Sequence, residues 1–279
     1  MAGRLARTVA VIVLVVVGTT ALVRFAPGYF SDAREMDGRY AAIERAELAA
    51  EAARNRSLAQ MLGEEIGGWV RGNSGVSRQF GVPVWELIEP RLAVSGALLV
   101  RGIALAWGLA LCASLFSSAG RNPSLLWQAP AAILLAVPAA ALATLCLLVN
   151  SGGPVLVLAL LLAARDFKFL HRALHKAWLD PHILQARAQG VRPLNLLRAH
   201  VLPALLPQLG ALASLSIVTA LSALVPVEVI FNVPGLGELA WNAAINRDLP
   251  VLLFVTTILA IAVTCAGMGS HRTAAWREA

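Results

Sequence analysis

Apolar residues dominate this chain in long runs that short polar segments separate. Five of the runs cover residues 92–118, 125–149, 154–174, 205–227 and 251–269. They approach or exceed the roughly 20 residues that an α-helix needs to cross a bilayer. An earlier apolar run, 8–23, is flanked by Arg4, Arg7 and Arg24. The pattern therefore predicts an all-α integral membrane protein with six transmembrane helices.

The first run has two interpretations, because basic residues before a short apolar stretch also suit a secretory signal peptide. Thr19, Thr20 and Ala21 form a small-residue stretch, but no sharp Ala-x-Ala cleavage motif follows. We expect an uncleaved first transmembrane helix within residues 1–24.

Residues 25–91 change character and mix acidic with basic side chains. The stretch 39–65 is rich in Ala, Glu and Arg, which favour helix. We predict an exported, solvent-exposed helical insert over 25–91, followed by a five-helix core over 92–279. The insert fits either a docking role for a partner or a solvated surface without one.

The fourth span is the least regular, because its uncharged part, 154–164, corresponds to only about 17 Å of helix against a hydrocarbon core of about 30 Å. Arg165 and Lys168 can snorkel toward the interface while neighbouring apolar residues complete the span. The alternative is a re-entrant hairpin over residues 126–164.

Basic residues set the predicted orientation. The chain carries 23 basic and 16 acidic residues. Basic residues concentrate in the loops 119–124 and 165–203 and in the C-terminal tail, whereas the turn Asn150–Gly153 has no charge. Because basic loops favour the cytoplasmic side, both termini are predicted to be cytoplasmic in a bacterial inner membrane. Topology explains the basic charge better than nucleic-acid binding does.

Signs of catalysis or of a metal site are weak. A phosphate-binding loop requires Gly-Lys-Ser/Thr, but the only lysines, Lys168 and Lys176, do not follow glycine. His171 and His175 have a spacing that metal ligands use, without a third ligand nearby. Cys112, Cys146 and Cys265 lie in apolar runs without CxxC spacing, so we expect buried free thiols. We predict no catalytic or metal residues and no bound cofactor.

Arg101 lies in the middle of the second span, where an unpaired charge costs several kcal/mol. It either faces a wet translocation pathway or forms a structural pair with a neighbouring subunit or with Glu228.

The basic loop between the fourth and fifth spans predicts a short surface helix. Pro181 suits a first helical turn, and Gly190 suits a left-handed stop. Small side chains at Ala186 and Ala188 allow a partner surface to approach closely. Such a helix can transmit motion from a soluble motor.

Three segments resemble the dipeptide/oligopeptide/nickel branch of ABC importer permeases. The first is His182-Ile183-Leu184-Gln185-Ala186-Arg187-Ala188-Gln189-Gly190 with His200-Val201-Leu202-Pro203, although the general importer motif begins Glu-Ala-Ala where this chain has Leu184-Gln185-Ala186. The second runs from Val227 to Gly237 and continues at Asn246-Arg247-Asp248-Leu249-Pro250. The third comprises Arg71-Gly72-Asn73-Ser74-Gly75, Val82-Pro83-Val84 and Arg91-Leu92.

The resemblance implies a type I importer permease that forms half of a translocation pore for peptides or a similar small solute. It also implies a second permease, two ATP-binding subunits that carry ATP and Mg, and an extracytoplasmic substrate-binding protein. The residues that it assigns to ATPase coupling are Leu184, Gln185, Ala186, Arg187, Ala188, Gly190, His200 and Pro203. Those that it assigns to an outer gate or binding-protein contact are Glu228, Asn232, Pro234, Gly235, Gly237, Arg247 and Asp248.

Purely structural roles are also open for the same residues. Proline and glycine at 234–237 make turns at any membrane surface, and residues 246–248 favour a structural turn over substrate contact. His200 is expected to close a helix before Pro203. Two other functions stay open: a secondary transporter, which predicts acidic residues within the spans, and a degenerate permease that acts as a non-transporting assembly scaffold.

Overall fold

The protein is mostly helical in the part that the computed structural model describes, which is residues 2–25, 63, 66–69, 71–119, 125–150 and 152–274. The predicted insert at 25–91 falls largely outside these residues. In chain order the helices are α1 (Ala2–Phe25), α2 (Val84–Ala119), α3 (Leu125–Ala136), α4 (Ala139–Leu148), α5 (Pro154–Trp178), α6 (Pro181–Ala188), α7 (Pro193–Leu196), a π-helix (Leu197–Val201), α8 (Leu202–Ile230), α9 (Leu236–Ile245) and α10 (Leu249–Ala274).

Three helices in the described residues are long and apolar enough to cross a membrane. They are Val84–Ser117 in α2, Gln208–Ile230 in α8 and Leu249–Gly267 in α10. These helices match the predicted second, fifth and sixth spans. The first predicted span is a continuous helix, α1, whose apolar stretch Ala10–Leu22 is shorter than the others.

The third predicted span is not one straight helix. Its two halves, Gln128–Ala136 and Ala139–Leu148, are bent by 101°. The break occurs at Pro138, whose extended backbone precedes α4. Proline has no amide hydrogen to continue the hydrogen-bond ladder of α3. The structure gives either a broken span or a re-entrant element at this place.

The fourth predicted span is a continuous helix that runs through its charged residues. The helix α5 has 25 residues, and its buried face includes apolar residues on both sides of Asp166. At 1.5 Å per residue its length is about 37 Å, which exceeds the hydrocarbon thickness of a bilayer. Charge composition, not helix length, made this span difficult to predict.

Contacts divide the chain into two units. The first comprises Met1–Ala93 and Pro234–Ala262. Within it, one face of the short helix α9 packs on the first turns of α2 and α10. The buried residues of this cluster are Val84, Ile88, Leu236, Leu239, Ala240, Ala243, Val251 and Val255. A second cluster joins Val16 of α1 to Leu249 and Leu253.

The second unit comprises Val94–Val233 and Val263–Ala279. Its main core joins α2, α4, α5 and α8, with Ala106, Leu142, Leu158 and Leu224 among the buried residues. Gly102 permits the close approach of α2 to α5, because a Cβ atom built there would lie 2.6 Å from Leu158 Cδ2.

The prediction that the three cysteines are buried is wrong for this chain. Cys112 and Cys265 are exposed, and Cys146 is half-buried. An apolar run in a membrane protein contains residues that face lipid or another subunit as well as residues that face the core, and cysteine suits both environments.

Candidate docking loop

The loop between α5 and α8 is built on a short helix with defined ends. The backbone amides of Ile183 and Leu184 donate to the Asp180 carbonyl at 3.0 and 3.1 Å, which starts α6 beside Pro181. Gly190 stops the helix with φ of 83°, a conformation that favours glycine. A short helix, Pro181–Ala188, followed by a glycine stop is therefore present within the predicted range 181–190.

One side chain anchors α6 to the helices beside it. Ile183 is fully buried in a cluster with Leu174 and Ala177 of α5, Val201 of the π-helix and Leu205 of α8. The loop is thus fixed to the adjoining ends of both α5 and α8. The rest of α6 is free of this core.

The outer surface of the loop exposes apolar side chains. Leu184 is 46% exposed and Leu194 is 55% exposed, and Val191 is also exposed. An apolar surface at the tip of a loop commonly marks a protein contact. Of the residues predicted for ATPase coupling, Ala186 is half-buried. The other seven are exposed: Leu184, Gln185, Arg187, Ala188, Gly190, His200 and Pro203.

His200 does not close a helix before Pro203, contrary to the sequence prediction. It lies in the π-helix Leu197–Val201, which continues directly into α8. Pro203 has no amide hydrogen and lies just after the π-helix, at the point where the hydrogen-bond pattern changes from π to α. The His200 ring lies 6.5 Å from the His182 ring, measured between centroids, so the two ends of the loop approach each other.

Two of the predicted gate residues lie in the second unit. Glu228 is fully buried in the last turn of α8, where its carboxylate accepts a hydrogen bond of 2.6 Å from Ser95 Oγ. Asn232 is exposed in the following turn and has a positive φ of 51°. Glu228 therefore joins α8 to α2 through Ser95.

The other predicted gate residues lie in the first unit, and among them Asp248 binds a distant loop. Its carboxylate accepts hydrogen bonds from Ser77 Oγ and from the amides of Arg78 and Gln79, the last two at 3.2 Å. Asp248 is buried and precedes α10, so it fixes the 77–79 loop to the start of that helix. Pro234 is exposed, Gly235 and Gly237 are buried, and Arg247 is half-buried with φ of 55°.

A group of polar residues that the sequence analysis did not bring together lies between α2, α5 and α8. We name Trp107, Arg165, Asp166, Ser216 and Thr219 the Asp166 cluster. Ser216 Oγ lies 2.9 Å from both Asp166 Oδ2 and the Leu212 carbonyl oxygen, and it accepts a hydrogen bond of 3.3 Å from Trp107 Nε1. Arg165 donates to Thr219 Oγ1 and lies 3.3 Å from Asp166 Oδ1.

The Asp166 cluster gives defined partners to Arg165, which was expected to snorkel toward the interface. Its guanidinium is held by groups on α5 and α8. The sequence signal that could have revealed the cluster is the occurrence of Arg165 and Asp166 within a span, with Ser216 and Thr219 three residues apart on another.

His171, considered above as a metal ligand, has a different environment. Its Nδ1 atom lies 2.8 Å from Ser117 Oγ, and its ring stacks on Phe167. The His175 ring lies 6.4 Å away. These contacts explain His171 as a buried side chain that joins α5 to the end of α2.

Comparison with known proteins gives a family match across most of the second unit and beyond. Residues 102–272 match the model of the binding-protein-dependent transport system inner membrane component. A Brucella suis protein named as a peptide permease is 29% identical over 229 residues, which cover 71% of this chain and 72% of that protein.

Two further relatives match shorter stretches. The oligopeptide transport system permease protein AppB of Bacillus subtilis is 36% identical over 115 residues, or 39% of this chain and 36% of AppB. The metal-staphylopine import system permease protein CntB of Staphylococcus aureus is 32% identical over 108 residues, or 39% of this chain and 34% of CntB.

Proposed function

The chain belongs to the family of binding-protein-dependent transport system inner membrane components and is a permease subunit of an ABC importer, and we propose that it forms half of a translocation pore for peptides or a similar small solute. A second permease forms the other half. Two cytoplasmic ATP-binding subunits, which carry ATP and Mg, drive the cycle, and an extracytoplasmic binding protein delivers the solute.

The observation that carries this proposal is the geometry of the docking loop. A helix anchored by the single buried residue Ile183 presents Leu184, Arg187 and Ala188 outward. This arrangement suits insertion into a groove of an ATP-binding subunit. Because the loop is fixed to both α5 and α8, movement of the docked motor is transmitted to two transmembrane helices at once.

Six membrane crossings with both termini in the cytoplasm fit this arrangement. The crossings are α1, α2, the bent pair α3–α4, α5, α8 and α10. The segment 228–248 then lies on the exported side, where an outer gate or a binding-protein contact belongs. It contains the predicted gate residues Glu228, Asn232, Pro234, Gly235, Gly237, Arg247 and Asp248. Arg101, exposed within α2, faces the aqueous pathway or the second permease, since exposure to lipid would cost several kcal/mol.

The substrate is proposed from the relatives' names, which specify peptides in two cases and a metal-staphylopine complex in the third. Peptide transport has the greater support, because the Brucella suis relative, whose match covers 71% of this chain, is named for it. A secondary transporter and a non-transporting scaffold are the competing functions. Membership of an ABC importer family argues against a secondary transporter. The uptake experiment described below distinguishes a non-transporting scaffold from a transporting permease.

Co-purification tests the docking assignment. The tagged chain is isolated from native membranes in mild detergent, and the ATP-binding subunits that accompany it are quantified. Ala188→Glu places a charge on the exposed face of α6 and is expected to reduce their recovery at least about tenfold, because desolvating an unpaired charge at an interface costs several kcal/mol.

The matched control is Ala244→Glu, which makes the same change at an exposed alanine of α9. It is expected to leave the recovery of ATP-binding subunits unchanged. Recovery that is equal for wild type and Ala188→Glu, with both proteins folded, would refute docking at α6. If both variants lose the ATP-binding subunits, the effect is not specific to the loop, and docking at α6 is refuted as well.

A further inference from the structure

We propose that the Asp166 cluster is a coupling device that makes α5 and α8 move as one body, so that displacement of the docking loop reaches the outer half of the pore. This inference rests on the proposed function. It assigns Ser216 and Asp166 as positioning residues, which act through the helices that they join and not through contact with the substrate.

The location of the cluster carries the first step. Helix α5 enters the docking loop at Trp178 and α8 leaves it at Leu202. Asp166 lies 12 residues before Trp178 and Ser216 lies 14 residues after Leu202, so the two arms are about 18 and 21 Å long. The hydrogen bond between Asp166 and Ser216 thus connects the arms at nearly equal heights.

The second step is that the arms are also joined at their other ends. Ile183 and Val201 of the loop pack with Leu174 of α5 and Leu205 of α8. The two helix segments, the apolar cluster at the loop and the polar cluster within the bundle therefore form a closed frame. Helices α5 and α8 also share apolar packing between these two ends, in which Phe167 and Leu170 contact the cluster that includes Leu212. The polar contacts add a fixed register to that packing, so the closed frame resists sliding of one arm past the other.

The third step concerns the energy of the polar contacts. Asp166 and Ser216 are fully buried, and Trp107 extends the network to α2. Between helices in a membrane the apolar surfaces gain little over contact with lipid, so interhelical hydrogen bonds and close packing determine the relative position of helices. A buried carboxylate that loses its hydrogen-bond donors is costly, which opposes separation of the arms.

The distribution of charge in the cluster supports positioning and not solute binding. The Asp166 carboxylate lies within hydrogen-bond distance of Ser216 Oγ and contacts one terminal nitrogen of the Arg165 guanidinium. The other terminal nitrogen of Arg165 donates to Thr219. Both charged groups thus contact partners on α5 and α8. Asp166 has no exposed surface for a solute.

The test uses the full importer, assembled with its partner subunits in proteoliposomes, with a mixture of radiolabelled short peptides as the probe. Uptake and ATP hydrolysis are measured together, and the amount of assembled complex is determined in each sample. Ser216→Ala removes the direct polar contact of Asp166 with α8 while adding no charge. We expect ATP hydrolysis close to the wild-type rate and a fall in peptide taken up per ATP of about fivefold or more.

Three further variants make the result specific. Ser214→Ala is the matched control, because Ser214 is also buried on α8 and its Oγ donates to Gly210 of the same helix at 3.2 Å. Ser216 Oγ has the equivalent contact with the Leu212 carbonyl and in addition contacts Asp166, so the two variants differ in the contact to α5. It is expected to keep the wild-type ratio of uptake to hydrolysis. Ser216→Thr retains a hydroxyl group and is expected to restore the ratio, and Asp166→Asn is expected to lower it as Ser216→Ala does.

The proposal is overturned if assembled Ser216→Ala and Asp166→Asn complexes both keep the wild-type ratio. It is also overturned if uptake and hydrolysis fall in proportion to a reduced amount of complex, because that is the behaviour of a merely structural contact. If the wild-type complex itself hydrolyses ATP without importing any peptide, it is the peptide-transport proposal that fails. The ratio in the variants therefore tests a separate claim.

Discussion

Asp248 illustrates how one carboxylate can fix the geometry of a loop. It occupies the position before α10, where its backbone carbonyl accepts the Leu252 amide at 2.9 Å. An acidic residue there ordinarily caps its own helix. In this chain the side chain instead holds Ser77, Arg78 and Gln79 from a distant part of the sequence.

We expect Asp248→Ala to release the 77–79 loop. The buried acceptors of two backbone amides are removed, and a hydrogen bond to a charged group contributes about 1.5–3 kcal/mol. Amide hydrogen exchange of the purified protein, followed by mass spectrometry, should become at least about tenfold faster at Arg78 and Gln79.

The conservative change Asp248→Asn keeps one carbonyl oxygen and should give an intermediate exchange rate. Recovery of ATP-binding subunits should be unaffected in both variants, because the docking loop belongs to the other unit. Unchanged exchange in Asp248→Ala would contradict the assignment of this carboxylate as the group that holds the loop.

At this scale the sequence predicted more for isolated residues than for pairs. Pro181 and Gly190 could be placed because their backbone preferences are local. The partners of Asp248 and Asp166 could not, since Ser77 lies 171 residues from Asp248 and Ser216 lies 50 residues from Asp166 along the chain. Serine and threonine are also common on helix surfaces, so their presence in a span gives no indication of a partner.

Among the helices, the contact between α2 and α5 offers the clearest test of packing. Gly102 and Gly108 lie on the same helix, but only Gly102 faces a neighbour. A Cβ atom at Gly102 would lie 2.6 Å from Leu158 Cδ2, and one at Gly108 would have nothing within 4 Å. The two positions therefore form a matched pair.

We expect Gly102→Ala to lower the free energy of unfolding by about 1–3 kcal/mol, because an added methyl group overpacks a fully buried contact. Gly108→Ala should be neutral or stabilise α2 by up to about 1 kcal/mol through helix propensity. The thermal unfolding temperature of the purified chain in one detergent provides the comparison.

A second substitution distinguishes overpacking from other effects at Gly102. Leu158→Ala opens space at the contact, so the double variant Gly102→Ala, Leu158→Ala should be less destabilised than the sum of the single changes. Additive losses would show that the two side chains do not compete for the same volume.

The helices also show which features of the fold hydropathy can and cannot predict. Runs of apolar residues located α2, α8 and α10 because length and composition alone define them. The bend at Pro138 was not evident, since Pro130 lies inside α3 without ending it. The two prolines differ in the backbone conformation that tertiary packing imposes, and the sequence does not encode that locally.

For the molecule as a whole, the contact between Asp248 and the 77–79 loop constrains the number of membrane crossings. Residues in contact lie on the same side of a membrane, so the chain between them crosses an even number of times. Helices α2 and α8 are both long enough to span. Either the bent pair α3–α4 and the helix α5 both cross the membrane, or neither of them does.

The contacts of α5 favour crossing. Leu158 meets Gly102, Asp166 meets the network that includes Trp107, and His171 meets Ser117. Successive points along α5 thus correspond to successive points along α2, at Asp166 through Ser216 of α8. A helix that runs beside a spanning helix for this distance traverses the same depth of membrane, so we expect α5 and the bent pair both to cross.

Labelling of Gly153 decides between the two arrangements. After replacement of the three native cysteines by alanine, Gly153→Cys should react with a membrane-impermeant maleimide in intact cells, because two crossings place the turn before α5 on the exported side. Ala188→Cys should react only after permeabilisation, and Ala244→Cys should react in both conditions. These two sites have the same sidedness in either arrangement and so serve as controls.

If Gly153→Cys behaves like Ala188→Cys, residues 126–164 form a re-entrant hairpin. The docking loop would still lie in the cytoplasm, but the Asp166 cluster would then have to join α8 to a helix that does not cross the membrane.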